Sequence, residues 1–392
     1  MSGLVLALNA GSSSIKFGVY ETDASGGPRT AARGTLETGA RPRLRAKAPD
    51  GTALCDEAMP GGSLRAGIEG LLRWMENAFP HRALVACGHR IVHGGGAFAD
   101  PVRLTPAVIE AIDRLTPLAP LHQPRSVAPI RALLELRPDL PQVGCFDTAF
   151  HRTIEPPANR FALPRAYEAK GIRRFGFHGL SYEYVAGRLG AEGKAGMKAV
   201  VAHLGNGASL CAIRDGRSLD TTMGFSALDG LVMGTRCGAI DPGVLLYLLQ
   251  QEGMTPDELQ DMLYRKSGLL GVSGLSGDMR ELEASEDPRA REAIELFAFR
   301  VAREVAAMAG TLGGLDCLVF TAGIGERSAV VRKAVCARLR WLGLELDEAA
   351  NEAHAGQLGL PGSSVEIRVV PTDEESVIAS HAHVLVLPGR AS

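Results

Sequence analysis

The chain has almost no excess of charge, no long apolar run, no paired-cysteine motif and no biased segment, and each absence removes a class of protein. Its 392 residues carry 42 Lys plus Arg against 44 Asp plus Glu, a formal charge of −2. That balance offers no electrostatic footprint for nucleic acid or an anionic membrane. No apolar run approaches the roughly 20 residues that span a bilayer. The N-terminal LVLAL is too short for the apolar stretch of a signal peptide and follows no basic segment, so a cytoplasmic protein is expected. Seven cysteines, an odd number without C-x-x-C, fit reduced thiols better than a disulfide framework or a zinc site. What remains, with 46% hydrophobic and 22% charged residues, is a globular chain long enough for two domains with separate cores.

Against these absences one pattern occurs twice. Residues 4–20 read LVLALNAGSSSIKFGVY and residues 199–213 read AVVAHLGNGASLCAI. Each is an apolar run, a cluster of Gly, Asn and Ser, and a second apolar run, which predicts a strand, a tight turn and a returning strand. Glycine lets backbone N–H groups approach an anion, and Asn and Ser add short polar contacts. Two such loops, each opening an α/β stretch, predict a duplicated fold with phosphate held between its halves. The spacing in NAGSSSIK does not satisfy G-x-x-x-x-G-K-[ST], so this is not a P-loop NTPase.

The rest of the chain is α/β grammar. Residues 23–62 predict surface strands and loops, and residues 64–79 a helix leading into the strand ALVACGHRIV. Thr105-Pro106 predicts a helix start running to about Leu115, and a further helix is expected over about Ser126–Leu136, after the proline-punctuated TPLAPLHQP. In the second half, TTMGFSALDGLVMGTRCGAIDPG carries too many glycines for a helix or sheet interior. Thr255–Glu258 reads as a capping box, Asp287-Pro288 opens a helix to about Met308, and strand LDCLVFTAG is followed by a GIGER loop and a helix to about Leu339. Thr372–Glu375 reads as another capping box that opens the last helix, with Glu375 closing on the Thr372 backbone.

Ten motifs together resemble those of the acetate kinase family, within the acetate and sugar kinase, Hsp70 and actin superfamily. They are NAGSSSIKF, HRIVHGG, PLAPLHQP, FDTAFH, FGFHGLS, HLGNGAS, MGFSALDGLVMGTRCG, SGLSGDMR, TAGIGER and PTDEE, in family order across essentially the whole chain. The resemblance implies two RNase H-like (actin-like ATPase) α/β domains with the active site in the cleft between them. Domain I is expected over 1–149 plus 375–392, and domain II, with the nucleotide and dimer surfaces, over 150–374. The implied reaction is reversible, Mg2+-dependent phosphoryl transfer, ATP plus acetate to ADP plus acetyl phosphate, in a homodimer, with Mn2+ as a substitute metal.

The resemblance also assigns roles. Arg90 becomes a carboxylate ligand, Arg236 and His178 stabilisers of the phosphoryl group in flight, and Asp147 an acid–base or orienting residue. Acetate, with a pKa of about 4 to 5 like a Glu side chain, is already an anion at neutral pH. Asp147 is therefore expected to orient an Arg or a metal-bound water rather than to take a proton. Val92, Leu121, Phe177 and Ala227, with His122, are assigned to the acyl site. The nucleotide falls to Ser12, Ser14 and Lys16, to His203, Leu204, Gly205, Asn206 and Gly207, to Asp278, Met279 and Arg280, and to Gly323, Ile324, Gly325, Glu326 and Arg327. Asn9 and Glu374 are assigned to the metal, since Mg2+ prefers oxygen ligands and retains waters.

Four positions depart from the family pattern. Ala227 stands where Pro is common and leaves room for about one methylene, worth about 0.8 kcal/mol if filled, which favours propionate. Arg327 replaces the usual Asn after GIGE, which alters the expected contact with the nucleotide base and leaves the choice of ATP over GTP open. Cys237 replaces Ser beside Arg236, a cationic neighbour expected to lower the thiol pKa. Tyr182 occupies a position that is often His, with no consequence expected. Propionate kinase is the near alternative, butyrate kinase a more distant one, and an actin- or Hsp70-like ATPase without a carboxylate substrate the alternative of a different class.

Overall fold

The computed structural model describes residues 3–11, 14–22, 27–38, 42–59, 61 and 63–387. The chain runs β1 (Gly3–Ala10), β2 (Ser14–Thr22), β3 (Arg29–Glu37), β4 (Arg43–Lys47), β5 (Ala53–Ala58), α1 (Leu64–Ala78), β6 (Leu84–Ile91), β7 (Val102–Arg103), α2 (Pro106–Asp113), α3 (Gln123–Leu136) and β8 (Gln142–Phe146). It continues through α4 (Arg165–Ala169), α5 (Gly179–Ala191), β9 (Ala199–Leu204), β10 (Ala208–Arg214), β11 (Arg217–Thr221), α6 (Pro242–Gln250), α7 (Pro256–Arg265), α8 (Gly268–Ser273) and α9 (Met279–Glu283). The last elements are α10 (Pro288–Leu312), β12 (Cys317–Thr321), α11 (Ala322–Arg327), α12 (Ala329–Arg338), α13 (Glu348–Glu352), β13 (Glu366–Val369) and α14 (Glu374–Val386). Two units result: unit 1 is Met1–Ala149 with Asp373–Ser392, and unit 2 is Phe150–Thr372. The chain returns to unit 1 at Asp373, two residues before the expected domain boundary.

Each unit is built on a sheet of the same plan. In unit 1 the order is β5-β4-β3-β2-β1-β6-β8-β7, and in unit 2 it is β11-β10-β9-β12-β13. Both contain three antiparallel strands followed by two parallel ones: β3-β2-β1 then β6-β8, and β11-β10-β9 then β12-β13. The repeated strand–turn–strand pattern in the sequence is thus the repeated first hairpin, β1–β2 and β9–β10, of a duplicated α/β fold.

The central strands β1, β9 and β12 are buried on both faces, which is why they read as unbroken apolar runs rather than alternating ones. In unit 1, α1 covers one face with Ile68, Leu71, Leu72 and Met75, at i, i+3, i+4 and i+7, and these join Leu6, Leu8, Phe17 and Leu36 of the sheet. α14 covers the other face where β6 has no side chain: a Cβ on Gly88 would fall 2.4 Å from Ile378 Cγ2. In unit 2 the long helix α10, capped by Asp287 and ended by Gly313 at φ 68°, packs beneath β10 and β11.

Several boundaries differ from expectation for local reasons. α3 begins at Gln123, because Pro124 suits a first turn, and α10 runs to Leu312 because its first αL glycine is Gly313. The capping box at Thr255–Glu258 forms as expected. The one at Thr372 does not: α14 is capped by Asp373, whose side chain accepts from Ser376 N at 3.1 Å, and Glu375 turns elsewhere. GIGER is a short helix, α11, rather than a loop. No helix among the described residues is long and apolar enough to cross a membrane.

Candidate active site

Unit 1 carries a chain of five polar groups, three at the C-terminal ends of its parallel strands and two at the start of α14. Arg90 lies on β6, and Asp147 directly follows β8. Arg90 Nε donates to both Asp147 oxygens, at 3.1 and 3.0 Å, and Nη2 donates to Oδ2 at 2.5 Å. Asp147 is 1% exposed and the Arg90 side chain 18% exposed. Burial works against the guanidinium charge, yet Asp147, with Glu374 and Glu375 behind it, raises its pKa above the ordinary arginine value. Arg90 Nη1 donates to Asn9 Oδ1 at 3.4 Å, and Asn9 Nδ2 donates to Glu374 at 2.8 Å and Glu375 at 2.9 Å.

That arrangement alters two expectations. Glu375 is a site carboxylate rather than a helix cap. Asn9 turns its nitrogen, not its oxygen, toward the carboxylates, because its oxygen accepts from Arg90. Burial, and next the neighbouring Glu374, push the Glu375 carboxyl above its usual range. Two carboxylates converging on one amide form an all-oxygen set whose mutual repulsion a divalent cation would relieve. This donor chemistry fits Mg2+, which is content with one or two carboxylates and several waters. Lys16 is exposed on β2 and, with Glu375, lines a cavity of about 640 Å3 in unit 1. Ser14 closes the β1–β2 turn through its carbonyl, which accepts from Gly11 N at 2.8 Å, while Ser12 lies outside the described residues. Val92 is buried just after β6, and Leu121 and His122 sit half-buried immediately before α3.

Unit 2 carries two histidines and an arginine around the β9–β10 turn. His178 adopts φ 59°, ψ 25°, a left-handed conformation rare outside glycine, where the chain turns sharply into α5. Its ring stacks on that of His203, with centroids 4.2 Å apart. Each ring presents Nδ1 to a serine: His178 to Ser209 Oγ at 2.8 Å, His203 to Ser181 Oγ at 2.9 Å. The glycines of the turn leave space in front of these rings. A Cβ on Gly207 would stand 3.3 Å from His178 Nε2 and 3.6 Å from both Nη atoms of Arg236. Arg236 is itself held by Nη1 donating to Ala227 O at 2.8 Å. Phe177 is buried, and its carbonyl accepts from His151 Nε2 at 2.9 Å.

Beside that turn lies a cavity of about 340 Å3. Of the residues assigned to nucleotide, Gly205, Asn206, Asp278, Met279, Arg280, Gly323, Ile324 and Arg327 line it, joined by Gly277, Glu283 and Ser328. His203, Leu204, Gly207, Gly325 and Glu326 are outside its lining. Glu326 instead accepts from Thr372 N at 3.2 Å, and Gly325 O accepts from Arg332 Nη1 at 2.9 Å. Arg332 is fully buried, and none of its hydrogen-bond partners among the described residues is a carboxylate. It also donates to Asn351 Oδ1 and O, both at 2.8 Å, and to His354 Nδ1 at 2.9 Å.

Cys237 does not have the expected lowered pKa. Burial pushes its thiol up, the Arg236 guanidinium is turned to Ala227, and the thiol donates to Gly238 O at 3.2 Å. Sequence reading also missed Ser209, Ser181, Glu283, Ser328 and Arg332. Only Ser209 left a signal, as the inward position two residues beyond Gly207 on β10.

Residues 4–380 match the family model described as the acetokinase family. The chain belongs to that family. It is 51% identical to an acetate kinase of Rhodopseudomonas palustris over all of both chains, and 46% identical to one of Rhizobium meliloti over 97% of this chain and 98% of that one. Among solved structures it resembles a propionate kinase from Francisella tularensis, with a TM-score of 0.90 and 36% identity over 97% of this chain and 99% of that one. The Porphyromonas gingivalis acetate kinase gives a TM-score of 0.85 and 36% identity over 98% and 99%. The fold is therefore one that solved acetate and propionate kinases share.

Proposed function

We propose that this acetokinase is an ATP:acetate phosphotransferase, interconverting ATP plus acetate with ADP plus acetyl phosphate. The observation that carries the reading is the full-length identity of 51% with an acetate kinase. The geometry supplies matching parts. The glycine-walled cavity of unit 2 is sized for a nucleoside, with Asp278, Arg280, Glu283 and Arg327 at its rim. Lys16, Ser14 and the Gly205–Gly207 turn take phosphates.

Phosphoryl transfer asks the protein for alignment and for positive charge or donors around the equatorial oxygens. Arg236 and His178 Nε2, both facing the space over Gly207, serve that need. Arg90 holds the acetate carboxylate through its Nη1 edge, since its Nε edge is occupied by Asp147. No general base is required, because acetate is ionised at neutral pH. Asp147 fixes Arg90. Mg2+, held by Glu374 and Glu375, supplies charge neutralisation for the phosphates when bound.

Propionate is the second substrate, favoured by the small side chain of Ala227 in the acyl site. A homodimer is also proposed: α6 (PGVLLYLLQ) has no buried residue, and Val244, Leu246 and Tyr247 are exposed on it. Seven free cysteines suit a cytoplasmic enzyme.

The test is ADP release with ATP, Mg2+ and acetate, propionate or butyrate, trapping acyl phosphate with hydroxylamine. Hydroxamate in step with ADP is expected, with propionate within a hundredfold of acetate in kcat/KM. ADP without hydroxamate would overturn the carboxylate reading.

A further inference from the structure

We propose that Tyr182 and Ser209 are positioning residues that set the tautomer and the direction of the His178 ring; the proposal rests on the carboxylate-kinase reading above. The three groups form one line. His178 Nδ1 lies 2.8 Å from Ser209 Oγ, and Ser209 Oγ lies 2.5 Å from Tyr182 Oη. Tyr182 and Ser209 are both 0% exposed. The sequence builds the line simply. Tyr182 follows His178, the residue that precedes α5, by four positions, and its backbone N–H donates to the His178 carbonyl at 3.1 Å. Ser209 follows Gly207 by two residues on β10 and reaches between them. The phenol ring is itself fixed, edge-on to His151 at 5.5 Å and to His203 at 6.3 Å between centroids.

Proton counting gives the line a direction. A phenol stays protonated at neutral pH and has one O–H to donate. With Tyr182 O–H donating to Ser209 Oγ, the serine keeps its single proton for His178 Nδ1. Nδ1 then accepts, and the neutral ring carries its proton on Nε2. That N–H faces the space over Gly207 where the Arg236 guanidinium also stands. The ring thereby presents a hydrogen-bond donor to an anionic phosphoryl group. The opposite run of donors would present a lone pair there and repel it. Hydrogen bonds to one ring nitrogen commonly fix the state of the other. The left-handed backbone at His178 leaves the ring at a sharp chain turn, where a tether from behind limits its rotation.

The test uses the full chain with Tyr182→Phe, Ser209→Ala and His178→Ala, singly and combined. In the hydroxamate assay, kcat is expected to fall about tenfold in Tyr182→Phe and in Ser209→Ala, the equivalent of one buried hydrogen bond, with KM for ATP and acetate within about twofold. In the His178→Ala background the same two changes are expected to cost nothing further, because they act only through that ring. Nitrogen-15 NMR of histidine-labelled protein is expected to show His178 protonated at Nε2 in the wild type and mixed tautomers in Tyr182→Phe. Unchanged kcat in both single variants, an equal loss persisting without His178, or a wild-type ring protonated at Nδ1 would overturn the proposal. A wild type that makes no acyl phosphate yet holds the Nε2–H tautomer through Tyr182 retires the carboxylate reading and keeps the positioning.

Discussion

Arg90 and Asp147 meet along one edge of the guanidinium: Nε reaches both carboxylate oxygens and Nη2 reaches Oδ2, so only Nη1 is turned away, to Asn9. A carboxylate that is 1% exposed and so engaged orients a cation, and a substrate that is already ionised gives it no proton to take.

Asp147→Asn should therefore disorder Arg90 rather than remove a base. Breaking one partner of a buried pair costs about 3 kcal/mol of stability. KM for acetate should rise well above its wild-type value while KM for ATP stays near it. Urea unfolding and steady-state kinetics check both. A large fall in kcat with unchanged stability and unchanged KM values would make Asp147 a direct participant.

Arg332 is the buried counterpart in unit 2. Its donors tie Gly325 of α11 to Asn351 and His354, behind the cavity lined by Gly323, Ile324 and Arg327. Arg332→Met keeps much of the volume and strands those acceptors, a loss of about 3 kcal/mol. Nucleotide affinity should weaken about tenfold or more with little change for acetate, measured by calorimetric titration with ADP. Equal weakening toward both substrates would point to general unfolding instead.

Cys237 should alkylate slowly. Burial raises its thiol pKa and the Gly238 carbonyl holds its proton, so the thiolate fraction at pH 7 falls below that of an ordinary cysteine. The other six cysteines are buried. Iodoacetamide at neutral pH should leave activity largely intact over a time that modifies free glutathione, with peptide mass spectrometry reading Cys237 directly. Rapid, nucleotide-protected labelling would restore the expectation drawn from its arginine neighbour.

How much of this was legible in the sequence depends on what kind of contact is involved. The two hairpins were readable because β1 and β9 are buried on both faces and their turns need glycine, both local properties. Arg90, Asp147, His178 and Arg236 were readable only as members of motifs. The Asp147–Arg90–Asn9–Glu374 chain joins residues far apart in sequence, up to 365 positions between Asn9 and Glu374, and no spacing rule reports such a meeting. The capping box at Thr372 failed for a related reason: Glu375 had a better partner in Asn9 than in the backbone of its own helix. Arg332 was invisible because nothing local separates a buried arginine on α12 from a solvated one. In Cys237 the neighbour in sequence was not the neighbour in charge, since Arg236 points to Ala227.

Three buried histidines lower stability in acid. His89 and His93 in unit 1 and His151 in unit 2 are held neutral by burial, their pKa lowered from 6.5 to about 4. Between those values the unfolded chain binds more protons than the folded one, so stability rises with pH there. Their contribution is complete above about 6.5 and is lost as pH falls toward 4, at about 3 kcal/mol each. His151 donates from Nε2 to Phe177 O and meets Ser218 Oγ at Nδ1, so protonation must reverse that second bond, with the serine oxygen turned to accept. Urea midpoints should fall steadily from pH 6.5 to pH 4.5. His89→Phe or His151→Gln should flatten that slope, and a slope unchanged in both would assign it to His93 or to the carboxylates.

The last expectation concerns α6. Nine residues rich in Leu and Val form a helix none of whose side chains is buried, although Leu246 and Tyr247 are each 54% exposed. A helix of that composition is stable in water only with a covered face, because exposed apolar area of this kind costs about 25 cal/mol per Å2. A second copy of the chain is the partner whose supply is guaranteed, and a stable homodimer needs about 800 Å2 from each subunit. Leu246→Asp should therefore shift the protein from dimer to monomer in sedimentation velocity, because a charge in the middle of the face must be desolvated twice across a twofold axis. Glu252→Gln, beside Tyr247 but outside the helix, should leave the mass unchanged and serves as the control. A monomeric wild type at micromolar concentration would end the dimer reading and leave the face to another occupant.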